Sequence, residues 1–391
     1  MKPSYSILFF SLFLSACFHQ PSTSHSDNEL ISIHLPLAQD EHPVYLSEIV
    51  DSIEYLPLET VDHALIGSVD KLIVTENQQL IVVDKETARS IFLFDSTGKL
   101  LHTIGHAGTG PGEYALLEDV SYYNGQLFVW DSSLKKILIF SMNNEFLGAY
   151  PFEYTAYSLC NLTSTMLAFC CDYTPNRELT EKGSCPSLLF VDIERGGKPR
   201  TALPFPVSTS AAAYQATLNN LCHQNLYLPL NDTIYKVRKD GYEKKYVLDY
   251  AAAYKQAKES YVKRSQTEPL TADDAIQSFQ NDRFPHLITY FECEGVDVFF
   301  MRMQSYLYYG FYYPLSGTYK EGSTAKGLSV INDIDGIAPF LPRSSEGNVI
   351  YSVMPTSVLL EHDSENSHRT QGIHEDDNPV IVKFHMKTIV P

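Results

Sequence analysis

Most of the chain is written in short apolar bursts broken by turn residues, with few of the three-and-four spacings that an amphipathic helix requires. Runs such as "LIVVD" (80–84), "IFLF" (91–94), "LFVWD" (127–131) and "ILIF" (137–140) read as strands bounded by Asn, Gly, Ser and Asp. Two stretches repeat this order. "NQQLIVVDKETARSIFLFDSTGKLLHTIG" (77–105) aligns with "NGQLFVWDSSLKKILIFSMNNEFLGAYPF" (124–152) as turn, strand ending in Asp, polar turn, strand, turn, strand. Asp84 and Asp131 close equivalent strands and Phe94 and Phe140 end the next ones, at offsets of 47 and 46. A period in the forties with several short strands per unit predicts a β-propeller blade.

Weaker copies follow at 156–205, 219–250 and 286–320. A last one is spread over "LSVINDIDGIAPF", "GNVIYSVM" and "NPVIVKFHMK". The prediction is therefore an all-β, six-bladed propeller occupying 30–391 as one domain. No blade buries both of its faces alone, so the ring must close with a strand from one terminus in the blade of the other. "LISIHLPL" (30–37) and "SIEYLPLE" (52–59) are the two candidates. The pattern breaks once, at about 249–285 between blades four and five. "DYAAAYKQAKESYVKRSQ" and, after Pro269, "TADDAIQSFQND" with Thr271 as N-cap predict a small helical insertion.

"IGHAGTGPGEYALLEDV" (104–120) holds four glycines, which raises the question of a phosphate loop. No Lys-Ser or Lys-Thr follows; Glu113 stands there instead, and a strand rather than a helix comes next. The stretch reads as an inter-blade turn, with glycines for positive φ at Gly110 and Gly112. With "FDSTGKLLHTIG" before it, it resembles the linker of NHL-type repeats. Together with "SIEYLPLET", "LIGSVDKL" and "NPVIVKFHMK", the chain resembles the six-bladed β-propeller lipoproteins of Bacteroidetes-type bacteria. That resemblance implies a propeller and a place in the cell envelope; it implies no catalytic residues.

The N-terminus agrees with an envelope address. Lys2, the apolar run Ile7–Leu14 and "LSAC" ending at Cys17 resemble a lipoprotein signal peptide over 1–16. The run is far short of the ~20 residues of a membrane-spanning helix. Cys17 is thus the expected lipidation site, and the polar 17–29 a flexible tether. Phe18, not Asp, follows the cysteine, which points to the outer membrane, periplasmic or surface face. The chain carries a formal charge of −18, and −19 once Lys2 leaves with the leader. It has no cluster of Lys and Arg, so no nucleic-acid partner is expected.

Six cysteines remain after Cys17, four of them in the third unit. Either Cys185 bridges to Cys170 or Cys171, or the thiols are free and buried. His362, His368 and His374 lie among acidic residues but in a spacing that fixes no metal geometry. Two functions stay open. In the first, the propeller binds or scaffolds an envelope protein, glycan or peptide, with tyrosines such as Tyr122 and Tyr123 as contacts and no cofactor. In the second it is an enzyme of the calcium-dependent lactonase or lyase kind, for which Asp119, Asn219 and Asn220 at the starts of inner strands are the candidate oxygen donors.

Overall fold

The computed structural model describes residues 30–388 except 39, 209–219, 269–270, 272–273, 275–284, 326–328 and 363–371. Six sheets, each built on four antiparallel strands and the fourth extended by one further parallel strand, form the blades of a propeller. The first strand of each blade lies nearest the axis. These inner strands are Lys71–Val74, Leu117–Tyr123, Ser158–Asn161, Leu221–Cys222, His286–Cys293 and Pro342–Glu346, in blades one to six.

The apolar bursts are explained by what lies on either side of them. A blade is covered on both faces, so its middle strands are largely apolar on both sides and the period of two decides which neighbour each residue meets. In Leu80–Asp84, Leu80 and Val82 join the core shared with blade six, while Ile81 and Val83 join that shared with blade two. In Gln126–Asp131, Leu127 and Val129 face blade one, while Phe128 and Trp130 face blade three. The whole core divides this way into six clusters, one at each blade interface.

The repeated aspartates have a structural role. Asp84 is fully buried and accepts the backbone N–H groups of Gly67, Ser68, Thr87 and Ala88 at 2.8–2.9 Å. Asp131 does the same for Ala115, Leu116, Ser133 and Leu134 at 2.7–3.3 Å. Each ties the hairpin turn that follows it to the segment leading into its own blade. In the third blade Cys171 stands at this position, and Asn176 takes over the tie through the N–H of Thr155.

Of the two candidates for closure, the second closes the ring. Val50–Pro57 pairs antiparallel with Val380–Met386 as the outer strand of blade six, bringing Leu56 into the core between blades six and one. Ile31–His34 instead adds a fifth strand, in parallel, to the outer edge of blade four. Blade six also differs from the sequence reading. Its inner strand is the polar "PRSSE" of Pro342–Glu346, whereas Val330–Ile331 of "LSVINDIDGIAPF" pairs with Val44–Tyr45 outside the blade. The helical insertion begins with α1, Ala252–Thr267. Most of the second predicted helix lies outside the described residues, although Thr271 and Asp274 do cap one another.

The glycine-rich stretch is a turn. His106–Ala107 pairs with Glu113–Tyr114, and the Glu113 carboxylate accepts the Gly110 N–H and bonds His106 Nε2, both at 2.8 Å. Positive φ is needed at Gly105 and Gly112, at 63° and 73°, but not at Gly110.

Candidate functional site in the central channel

Inner strands present an unpaired edge to the axis, and side chains reaching across this edge join one blade to the next. Lys71 Nζ of blade one donates to Asp119 Oδ1 of blade two at 2.8 Å. Asp119 Oδ2 accepts the Leu159 N–H of blade three, also at 2.8 Å. Ser121 Oγ takes the N–H of Asn161, and Ser158 Oγ donates to Asn220 Oδ1, so blades two, three and four are stitched in turn. Asn225 and Lys236 of blade four both donate to Glu292 of blade five. Lys71 and Asp119 are both buried. Burial works against the Lys71 charge, but the Asp119 carboxylate holds its pKa above the ordinary lysine value.

The residues singled out from the sequence therefore fall in two places. Asp119 and Asn220 are tied into the inter-blade stitching, and a divalent cation at Asp119 would have to displace the Lys71 ammonium. Asn219 and Cys17 lie outside the described residues. Tyr122 and Tyr123 line a cavity of about 300 Å³ that runs along the channel. Tyr122 donates to Glu76 at 2.8 Å, and its pKa is raised by burial and by that carboxylate.

The same cavity draws on five of the six blades: Lys71 and Ile73, Ser121, Cys160 and Asn161, Cys222, His223 and Gln224, and Arg343. Asn161 borders the cavity and is buried, with no hydrogen-bond partner for its Oδ1. His223 is held neutral, its pKa pushed down to about 4 by burial and by the Lys71 and Lys236 charges. Arg343 also borders a second hollow of about 460 Å³ between blades one and six.

One turn at the cavity carries strain. The inner hairpin of blade two turns on Asn124–Gly125, with φ of 46° and 78°, the residues a two-residue hairpin favours. At the equivalent turn of blade four stand His223 and Gln224, with φ of 46° and 62°. Two consecutive non-glycine residues in the left-handed region cost on the order of 1–3 kcal/mol each, and such strain gathers at functional sites. Here it places both side chains on the channel wall. The sequence does carry the signal, as "HQ" where another blade has "NG", but only once the blades have been aligned.

Lys71, Asn161, His223, Gln224 and Arg343 were invisible as a group, because they come from four separate blades. The cysteine alternatives are resolved: all six described cysteines are free thiols. Cys170 and Cys171 point to opposite faces of their strand, into the interfaces with blades four and two respectively. His362 ends a short helix, Thr356–His362, with Nδ1 on the Val358 carbonyl at 3.0 Å; His374 is exposed and His368 lies outside the described residues. Among the described residues no group of three His, Cys, Asp or Glu is placed to hold a metal ion.

The pattern of the family described as "Domain of unknown function (DUF4934)" matches residues 30–385. Among solved structures, the chain is similar to a Bacteroides fragilis protein named for an inferred export. They share 14% identity over 92% of this chain and 99% of the other, with a TM-score of 0.70. It is also similar to a member of the duf4221 family from Bacteroides vulgatus, at 11% identity over 87% and 98%, with a TM-score of 0.51. At such identities the likeness speaks to the fold alone. No curated protein matches the chain.

Proposed function

Since the chain belongs to the family described as a domain of unknown function, DUF4934, we propose from its own chemistry that it is a ligand-binding propeller of the cell envelope, lipid-anchored at Cys17 in the outer membrane. Its channel cavity takes a small polar group, the end of a glycan or peptide carried by an envelope partner. One observation carries this reading. The 300 Å³ cavity is lined by polar side chains from five blades, one an unpartnered buried acceptor, and two of those side chains are held there by a strained turn.

Binding in the channel would exploit what the fold already supplies. Asn161 Oδ1 calls for a donor, Gln224 and the neutral His223 offer further hydrogen bonds, and Arg343 provides an exposed cation at the margin. Tyr122 and Tyr123 add ring surface. The lactonase or lyase reading has less to stand on, since the Asp119 carboxylate is engaged on both oxygens by protein donors.

Thermal unfolding against a panel of mono- and oligosaccharides and short peptides tests the proposal. A ligand at 100 times its Kd should stabilise the native state by about 2.7 kcal/mol. The shift should saturate and should weaken in Asn161→Ala and Gln224→Ala. A shift untouched by these substitutions would place binding elsewhere. A saturable calcium stabilisation abolished by Asp119→Ala would turn the reading to the enzyme.

A further inference from the structure

Ser158 Oγ and Asn220 Oδ1, 2.8 Å apart, set the register between the inner edges of blades three and four. Two residues further along each segment come Cys160 and Cys222, and both line the channel cavity. The backbone N–H of Gln224, just past Cys222, points at the Cys160 sulfur, and the Lys71 ammonium acts on both thiols. The remaining described cysteines are placed differently. Cys171 and Cys185 also approach one another around Asn176, but both are sealed inside blade three with no exposed surface. Cys222 is only half-buried. A small reagent in the cavity therefore meets one pair of thiols and not the other.

We propose that Cys160 and Cys222 are an oxidisable dithiol on the channel wall, which a small-molecule disulfide converts into a bridge between blades three and four. The Cys222 thiolate, its proton given to water, attacks one sulfur of RSSR; the S–S bond breaks and RS⁻ leaves. Cys160, likewise deprotonated, attacks the Cys222 sulfur of the mixed disulfide and displaces the second RS⁻. The two protein thiols lose two electrons and two protons, and the oxidant is reduced to two RSH. Burial pushes both thiols up, Cys160 to about 11, so exchange should quicken as pH rises, with Lys71 opposing part of the burial effect. The bridge would alter the wall of the cavity, but its formation does not depend on what the cavity binds.

The test uses the full chain with hydroxyethyl disulfide as oxidant. Remaining thiols are blocked with iodoacetamide in denaturant, and the protein is digested without reduction for mass spectrometry. The expected product is a linked pair of peptides carrying Cys160 and Cys222, with Cys170, Cys171, Cys185 and Cys293 alkylated. Oxidation should also raise the melting temperature, a gain absent from Cys160→Ser and from Cys222→Ser, each first shown to melt cooperatively. Alkylation of both Cys160 and Cys222, a mixed disulfide that never closes, or linkage of either to another cysteine would overturn the proposal.

Discussion

Asp172 and Asp84 show how one residue type behaves in two settings. Asp84 is buried, yet four backbone N–H groups outweigh that burial and lower its pKa. Asp172 follows Cys171 at φ 52°, is 3% exposed, and has no hydrogen-bond partner for its Oδ1. Burial alone drives its pKa up to about 7. The groups around it are the thiols of Cys170 and Cys171 and the Tyr173 hydroxyl, with no cation among them. A raised carboxyl pKa favours the fold at low pH: between about 4 and 7 the unfolded chain is ionised while the folded one keeps its proton, so stability falls as pH rises through that window. Above it the penalty levels off, at an upper limit on the order of 4 kcal/mol. Asp172→Asn, which tolerates the left-handed backbone, should therefore raise stability at pH 8 by about 1–3 kcal/mol and make little difference near pH 4. Urea unfolding at both pH values measures this, and an equal effect at both would show that the carboxyl does not titrate as stated.

Turns and strand edges decide more at the level of the element than propensity does. In the glycine-rich turn, only Gly112 of the pair Gly110 and Gly112 has positive φ, and a Cβ there would press on the Phe146 ring at 3.1 Å. At Gly110 an added Cβ meets only the Glu113 carboxylate, also at 3.1 Å, on a side chain that can give way. Gly112→Ala should cost roughly 1 kcal/mol or more, and Gly110→Ala no more than about half of that. Equal losses in chemical denaturation would mean the turn adopts another backbone. The same logic settles closure. Val50–Pro57 wins because only it supplies the missing outer strand of blade six and a side chain, Leu56, for the last interface. Ile31–His34 buries one residue of four and covers an edge that would otherwise be open.

Closure makes the ring of blades one unit, since each of the six cores needs a neighbour on either side. Its charge bears on location. At a formal charge of −18 the chain gains nothing electrostatically from an anionic membrane surface, and among the described residues no helix is long and apolar enough to cross a bilayer. The proposed lipid at Cys17 would supply an anchor that does not depend on charge. Cys17→Ser should move it from the membrane pellet to the wash after cell fractionation. A variant that stays in the pellet through a high-salt wash would refute the anchor.

The sequence by itself determined the blade, the six-fold repeat and the inter-blade turn, because these are local and periodic. Strands covered on both faces are largely apolar on both sides, and the aspartate that ties a hairpin recurs with the repeat at Asp84 and Asp131. It could also pick out Tyr122 and Tyr123, which follow an inner strand to its end. Only the tertiary structure decided which N-terminal segment closes the ring, that "PRSSE" rather than an apolar run is the sixth inner strand, and that Asp119 faces Lys71. It alone assembled Lys71, Asn161, Cys160, Cys222, His223, Gln224 and Arg343 around one cavity. The reason is the geometry of a propeller: each blade gives the channel only a few residues from the edge of its inner strand, so residues far apart in the chain become neighbours only when the ring closes.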